Sequence, residues 1–491
     1  MIKLPFFVTT PIYYVNDVPH IGHAYATIAA DILALWNRLV GHEVFFLTGL
    51  DENSVKTVKA AREKGITNLQ EYTDSMANIW KDTWAALKIS NTDFIRTTED
   101  RHKKMVISFF QKIWDNGDVY KGKYEGLYCE GCEQFYTEKD LENGVCPFHK
   151  TPPKKIVEEN YFFNLAKYQQ PLLEYIETHP AFIQPEARRN EVLRFIQDGL
   201  HDVSISRPNQ EWGIDLPIDP HHKFWVWFDA LINYLSADPS HWPATVQIVG
   251  KDILRFHCII WPAMLMSAGY PLPNTIFVHG FFTLNGQKIS KSLGNAVDPI
   301  ELSNTYGLDA FRYFLFREIP FGGDGDFSID AVVQRKNSDL ADNLGNLVNR
   351  VLVLVERQFD SVVPKFVEED ALVQTVSSLP ERVRNLMDTF QLHTALSEIW
   401  QTIAEANKYL NETEPWAIKD QKKLGNVLYN LLETLRYLSV LIYPFMPETA
   451  EKMMNQLGLE PRFSFQDLSW GGLQEGTKIN RGPILFTKLQ A

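Results

Sequence analysis

Two apolar strands flank one helix within the first fifty residues, and that order constrains the fold more than any other feature of the chain. Phe6-Phe7-Val8-Thr9 is a short β-prone run. A turn-like stretch, Asn16-Asp17-Val18-Pro19, follows it. Ile28, Ile32, Trp36 and Leu39 then recur at spacings of four, four and three, the period of a helix with one buried face. Gly41 is placed to stop that helix, and Val44-Phe45-Phe46-Leu47 reads as a second buried strand. Strand, helix and strand in this order predict a parallel, doubly wound α/β sheet. Val246–Val249 and Thr275–Val278 have the same character, so an insertion between about residues 115 and 225 is expected to split the sheet.

Composition narrows the class further. A chain of 491 residues suggests about three domains. Its 45% hydrophobic and 22% charged residues exclude wholesale disorder. No run approaches the ~18 apolar residues of a membrane span; the longest, Tyr437–Met446, contains Pro444. The opening MIKLPFFVTT is not a signal peptide, because its apolar run is short and broken by Pro5, so a cytosolic location is expected. A formal charge of −13 argues against non-specific coating of nucleic acid. Any RNA contact would need a local patch. From about residue 336 to 455 the pattern is helical: Leu340, Leu344, Leu347 and Val351 form one stripe, and Leu424, Leu428, Leu431, Leu435 and Leu438 another. Such stripes predict an all-α bundle.

Four cysteines cannot form a disulfide scaffold in a chain this long. Three of them cluster with a histidine: Cys129-x-x-Cys132, thirteen residues, then Cys146-x-x-His149. Two tight turns, each offering two ligands, can complete a tetrahedron around Zn²⁺. Four protein ligands leave no position for water, so the site would be structural. Gly131 and Pro147 suit the turns, and Cys258 stands alone as a small apolar residue.

Two short motifs point at a nucleotide. Pro19-His20-Ile21-Gly22-His23 lies where the first strand hands over to the first helix. Imidazoles at i and i+3 share a face, the helix N-terminus favours anions, and Gly22 lets a ligand approach the backbone. Alone, such a pair also reads as a polar helix start. Far downstream, Gly286-Gln287-Lys288-Ile289-Ser290-Lys291-Ser292-Leu293-Gly294-Asn295 could bring two positive charges onto a polyphosphate. Alone, it is equally a solvated basic loop. Together, HIGH and KISKS across a split parallel sheet resemble the class I aminoacyl-tRNA synthetases.

Longer segments narrow the resemblance. VTTPIYYVNDVPHIGH, FFLTGLDE, VWFDALINYLSA, GKDILRFHCIIWPAML, KISKSLGN and DLADNLGNLVNR all resemble the methionyl-tRNA synthetases, and the likeness weakens only after about residue 455. It implies a Rossmann-type catalytic domain in two halves, 1–115 and 226–275, around a connective insertion, 116–225, that carries the knuckle. A KISKS-loop and stem-contact region, 276–335, and a helical anticodon-binding domain, 336–491, would follow. It further implies a methionine pocket of Ile12, Tyr14, Trp227, Ala230, Leu231, Tyr234, Ile253, His257 and Trp261, with Asp51 receiving the ammonium. Chemically the set suits an unbranched thioether, which offers aromatic packing, sulfur–ring contact and one weak acceptor, for which Tyr14 or His257 could be the donor. Ile253, His257 and Trp261 lie four apart, one stripe of an expected single helix after Val249.

Gly250, Lys251 and Asp252 fall at a strand-to-helix junction, where open α/β sheets bind ligands. The resemblance implies that they hold ATP, with Asp252 on the ribose. Together with Gly22 and Ser290 they would complete the ATP site, while His20, His23, Lys288 and Lys291, with Mg²⁺, meet charge on the polyphosphate. Asn346 and Arg350 share a helix face, and Trp416 offers a stacking plate; the resemblance implies that they read the CAU anticodon of tRNA(Met). No partner membrane is expected, and a monomer is. One departure stands out. Asp51-Glu52-Asn53-Ser54 occupies the place where many relatives have Asp-Glu-His-Gly. It is the one support for an alternative, a catalytically silent relative retained for RNA binding. A class I enzyme for leucine lacks room here for its editing insertion, one for cysteine uses a pocket zinc, and a non-tRNA adenylating enzyme leaves the helical domain unexplained.

Overall fold

The computed structural model describes residues 4–136, 138–284, 287–289, 297–368 and 370–489; for residues 124, 125, 134, 135, 139, 287 and 288 the backbone alone is described. Six strands, β1 (Pro5–Tyr14), β2 (Glu43–Asp51), β3 (Asp93–Arg96), β4 (Ile183–Gln184), β5 (Val246–Gly250) and β6 (Thr275–His279), form a parallel sheet. Their order is β3-β2-β1-β5-β6-β4. The chain runs outward from β1 to β3 and later returns beside β1 as β5. The order therefore reverses between β1 and β5, and ligands bind at such a switch point.

Both faces of the sheet are buried. Phe6, Val8, Phe46, Ile248 and Phe277 join a core with the helix α1 (Ile21–Leu39) and the C-terminal helices. Phe7, Phe45, Leu47, Val249, Ile276 and Val278 join a second core with the insertion. This double burial is why the strands read as unbroken apolar runs. The helix α1 ends before Gly41, whose φ of +96° is one that glycine adopts without strain.

The insertion builds an antiparallel sheet in which Val119–Cys129 pairs with Gln134–Tyr136 and with Lys154–Phe163. It also lends β4 to the edge of the parallel sheet, a strand of two residues that no sequence pattern marks.

Helicity starts ahead of residue 336, with Pro299–Tyr306, Leu308–Arg317 and Ile329–Arg335. The two leucine stripes are buried, on the continuous helical stretch 336–359 and on Gln421–Ile442. From Leu424 onward Gln421–Ile442 is buried on every side, including a Glu433–Arg436 ion pair of 2.7 Å. A central helix needs more than one apolar stripe, and here paired polar residues supply the rest. Among the described residues no helix is long and apolar enough to cross a membrane.

The single helix expected after Val249 is a composite. A 3₁₀ turn, Lys251–Ile253, leads to a wide π turn, Phe256–Ile260, and then to the α-helix Trp261–Ala268. Pro262 gives the reason: it has no N–H for the carbonyl four residues back, and its ring crowds that turn.

Candidate active site

Four strand ends meet at the switch point: Tyr14 of β1, Asp51 of β2, Gly250 of β5 and His279 of β6. In β1 the pairing with β2 slips by one residue, since Thr9 faces Leu47 but Ile12 faces Gly49. Pro11, which has no N–H for the ladder, sits in this bulge, and the Thr10 and Thr48 hydroxyls pair across it at 2.7 Å. A bulge re-aims the side chains after it. Here Ile12 and Tyr14 line a cavity of about 480 Å³ together with His20, Gly22, His23, Trp227, Gly250, Asp252, Ile253 and the knuckle's His149.

His20 caps α1 and stacks on His23, their ring centres 3.7 Å apart. The Gly22 N–H donates to His20 Nδ1 at 3.1 Å, and the His20 N–H donates to His23 Nδ1 at 3.2 Å. A backbone N–H only donates, so both Nδ1 atoms are acceptors and both rings carry their proton on Nε2. A Cβ on Gly22 would lie 3.0 Å from His20 Cε1, which is why glycine separates the pair.

Behind Trp227 lies a recess of about 30 Å³, walled by Ile12, Tyr14, Asp51, Trp227, Ala230, Leu231, Tyr234 and His257. Trp227 stacks on Phe256 at 3.8 Å. His257 Nδ1 lies 3.0 Å from the Ile253 carbonyl and therefore carries the proton, so Nε2 accepts from the Tyr234 hydroxyl at 2.8 Å. Burial pulls this histidine down to about 4. Both its nitrogens are engaged, whereas the buried Tyr14 hydroxyl has no hydrogen-bond partner. Trp261 does not reach the recess; it packs behind Tyr234, 6.1 Å from that ring. Lys251 turns away from the cavity to pair with Asp324 at 2.6 Å. Pro11 and Asn233 also wall the recess, unmarked in the sequence because a proline in a bulge and an amide on a helix are common.

The three cysteines and His149 converge, their ligand atoms all within 4.8 Å of one another. Cys132 Sγ is 3.5 Å from Cys146 Sγ and 3.2 Å from His149 Nδ1. A zinc tetrahedron with bonds of about 2.1–2.3 Å has edges of about 3.4–3.8 Å, so the set could hold that ion. A Cβ on Gly131 would lie 2.5 Å from the His149 ring, so the first knuckle admits only glycine. The knuckle is also part of the active-site wall: Trp227 Nε1 donates to the Cys132 carbonyl at 3.2 Å, and Trp225 Nε1 to the Glu133 carbonyl at 2.7 Å.

Of the KISKS motif, Ser290 and Lys291 lie outside the described residues, as does Gly286; Lys288 lies in the strand Gln287–Lys288, which pairs with Phe282–Leu284 beside the cavity. In the helical bundle Arg350 donates to Asn411 at 2.8 Å and lies 5.7 Å from the ring centre of Trp416. Trp416 is 52% exposed, and Asn346 is exposed one turn from Arg350.

Comparison with known proteins agrees with this geometry. A family model described as tRNA synthetases class I (M) matches residues 6–151 and 137–352, and one described as the anticodon-binding domain of tRNA ligase matches residues 370–475. The methionine–tRNA ligase of Caldanaerobacter subterraneus subsp. tengcongensis is 49% identical, over 99% of this chain and 79% of its own. That of Rickettsia conorii is 44% identical over 99% of both chains. Methionyl-tRNA synthetase from Mycobacterium tuberculosis, solved in complex with methionyl-adenylate, matches with a TM-score of 0.95 at 40% identity, over 99% of this chain and 100% of that one. This chain belongs to the methionine–tRNA ligase family. Within a methionine–tRNA ligase framework, Asn53-Ser54 have defined places. Asn53 Nδ2 donates to Asp229 at 3.1 Å, and Ser54 donates to Glu133 at 2.6 Å while capping the helix Val55–Glu63. The departure from Asp-Glu-His-Gly is thus built into the fold, and it gives the silent-relative alternative no support.

Proposed function

We propose that this chain activates L-methionine with ATP to methionyl-adenylate, releasing pyrophosphate, and then transfers the methionyl group to the terminal ribose of tRNA(Met). One observation carries the reading: the cavity of the His20–His23 pair and the aromatic recess with Asp51 on its wall adjoin, sharing Pro11, Ile12, Tyr14 and Trp227 as their common wall. The ammonium meets Asp51, and the thioether enters among Ile12, Tyr14, Trp227, Ala230, Leu231, Tyr234 and His257. Ile253 lies at the mouth, and Trp261 backs the pocket. Tyr14 is the hydroxyl left to donate to sulfur, because Tyr234 and His257 satisfy each other. A recess of about 30 Å³ has room on the order of one water, so its walls must part for the side chain.

A methionine carboxylate oxygen attacks the α-phosphorus in line, and the bond to the pyrophosphate oxygen breaks. His20 and His23 present Nε2–H donors at a helix N-terminus, where negative charge is favoured. Lys288 and Lys291 supply positive charge, Gly22, Gly250, Asp252 and Ser290 hold the nucleotide, and Mg²⁺ accompanies the polyphosphate; Lys251 joins them only by leaving Asp324. No covalent intermediate with the protein is required, so catalysis rests on positioning and electrostatics. Cys129, Cys132, Cys146 and His149 would hold a structural Zn²⁺ that fixes the knuckle and, through the Cys132 carbonyl, the Trp227 wall. Asn346, Arg350 and Trp416 read the anticodon. A cytosolic monomer completes the reading.

The test is exchange of pyrophosphate into ATP, without tRNA, across the standard amino acids. Exchange with methionine alone is expected. Exchange with a different amino acid would overturn the pocket, and none at all would overturn the activation step.

A further inference from the structure

Beside Asp51, joined to it through Asn53, lies a second carboxylate for which the activation step has no use. Asp229 is fully buried, two residues beyond Trp227 on the short helix Val226–Leu231. One of its oxygens accepts from Asn53 Nδ2 at 3.1 Å; the other, Oδ1, is buried with no hydrogen-bond partner. The Asn53 backbone N–H meanwhile donates to Asp51 Oδ1 at 3.3 Å, so one residue grips both carboxyl groups. Its side chain also donates to the Thr97 carbonyl at 3.3 Å, which anchors the clamp to the strand end beyond β3.

No ion pair joins Asp51 or Asp229 to a cation among the described residues, and an amide at position 53 brings no charge. Of the neighbouring ionisable groups, only Glu133 adds negative charge without a cation bound to it: its Oε2 is buried with no hydrogen-bond partner, burial raises it, and it pushes Asp51 and Asp229 further up. Glu133 accepts from Ser54 and is eased by Lys56 and by the buried Arg207. Glu52 pairs with Arg96 at 2.8 Å. Lys56 lies over the Tyr14 ring at 4.3 Å, and His257 and Tyr234 bond each other on the opposite wall. Two fully buried carboxylates gripped by one asparagine, with no cation paired to either, resist both keeping a full charge. Burial pushes both up; the charge of Asp229 is the next cause acting on Asp51, and Glu133 raises both.

We propose that Asp229 is a positioning residue of the amino-group site: with Asp51 it forms an Asn53-clamped carboxylate pair that holds one proton, which methionine's ammonium displaces. The exchange swaps one buried positive charge for another, and the proton leaves to solvent as the ammonium arrives already protonated. Methionine affinity then rises with pH, by up to about tenfold per unit in the range where the empty pair is protonated. An amino-acid analogue without the ammonium gains nothing from the exchange. This inference rests on the assignment of Asp51 to the ammonium.

The test is calorimetric titration of methionine into the full chain at pH 7, in phosphate and in Tris, whose ionisation heats differ widely. Release of about one proton per methionine is expected. In Asp229→Asn, a near-isosteric change, methionine should still bind within about tenfold while the release vanishes; in Asp51→Asn binding should be lost. Binding to the wild type without proton release would overturn the exchange and leave the activation reading standing. So would an unchanged release in Asp229→Asn. No methionine binding to the wild type would overturn both.

Discussion

Gly22 shows how an absent side chain can set the geometry of the proposed phosphate site. Its N–H reaches His20 Nδ1 only because no Cβ stands 3.0 Å from the ring. In Gly22→Ala the imidazole must tilt, the reciprocal cap with His23 opens, and the Nε2–H groups lose their aim. Methionine-dependent pyrophosphate exchange should fall about 10–100-fold in kcat, roughly 1.4–2.7 kcal/mol, with the KM for methionine nearly unchanged. A matching rise in that KM would instead place the defect in the recess. Two other histidines govern acid stability. Burial holds His102 down at about 3 and His257 at about 4, against 6.5 when unfolded. Below pH 6.5 the unfolded chain therefore binds protons that the folded chain refuses, so their contribution is complete above 6.5 and is lost as pH falls towards 4 and 3. Each can remove up to about 1.4 kcal/mol per pH unit. Urea midpoints at pH 7, 6 and 5 should fall steeply, and less steeply in His102→Gln; an identical slope in the variant would refute the assignment.

At the scale of elements, the strands and helices that carry apolar periodicity were legible, and those shaped by contact were not. Phe6–Thr9 and Val44–Leu47 announce a sheet buried on both sides, and HIGH marks the cap of α1. The π turn at Phe256–Ile260 was hidden, because a stripe at four-residue spacing looks the same in a regular helix. Asn53 stood out only as a departure, and its pairing with Asp229 was hidden for another reason. Their importance lies in facing each other across 176 positions of sequence, and no local pattern encodes that. The convergence of the knuckle's four residues was legible, yet its hold on Trp227 was not, because that bond uses a backbone carbonyl. It leads to a definite expectation for Cys146→Ser. Bound zinc should be lost from the purified chain, and the KM for methionine should rise about tenfold or more, while the KM for ATP moves little. Metal analysis beside exchange kinetics checks both halves; a zinc-free variant with normal methionine KM would detach the knuckle from the pocket.

At the scale of the molecule, the question is how a chain of net charge −13 meets a polyanion at one end and performs chemistry at the other. The two ends are joined rigidly. Arg312 is wholly buried, 2.8 Å from Asp31 of α1, and donates to the Pro444 and Phe445 carbonyls at the end of the central bundle helix, each at 3.0 Å. A buried ion pair adds little net stability but fixes orientation well, and here it docks the bundle against the helix that carries the histidine pair. The proposed anticodon patch relies on geometry over charge: an exposed Trp416 with the Arg350 guanidinium over it, held by Asn411. Stacking of one unpaired base on such a ring is worth about 1–3 kcal/mol, so Trp416→Ala should raise the KM for tRNA about 10–100-fold. The ring contributes nothing to the catalytic cavity, so exchange without tRNA should keep its wild-type rate. Comparing the two assays on one preparation isolates the effect. A parallel loss in both would mean that Trp416 stabilises the docked bundle, and the anticodon reading of this patch would then fall.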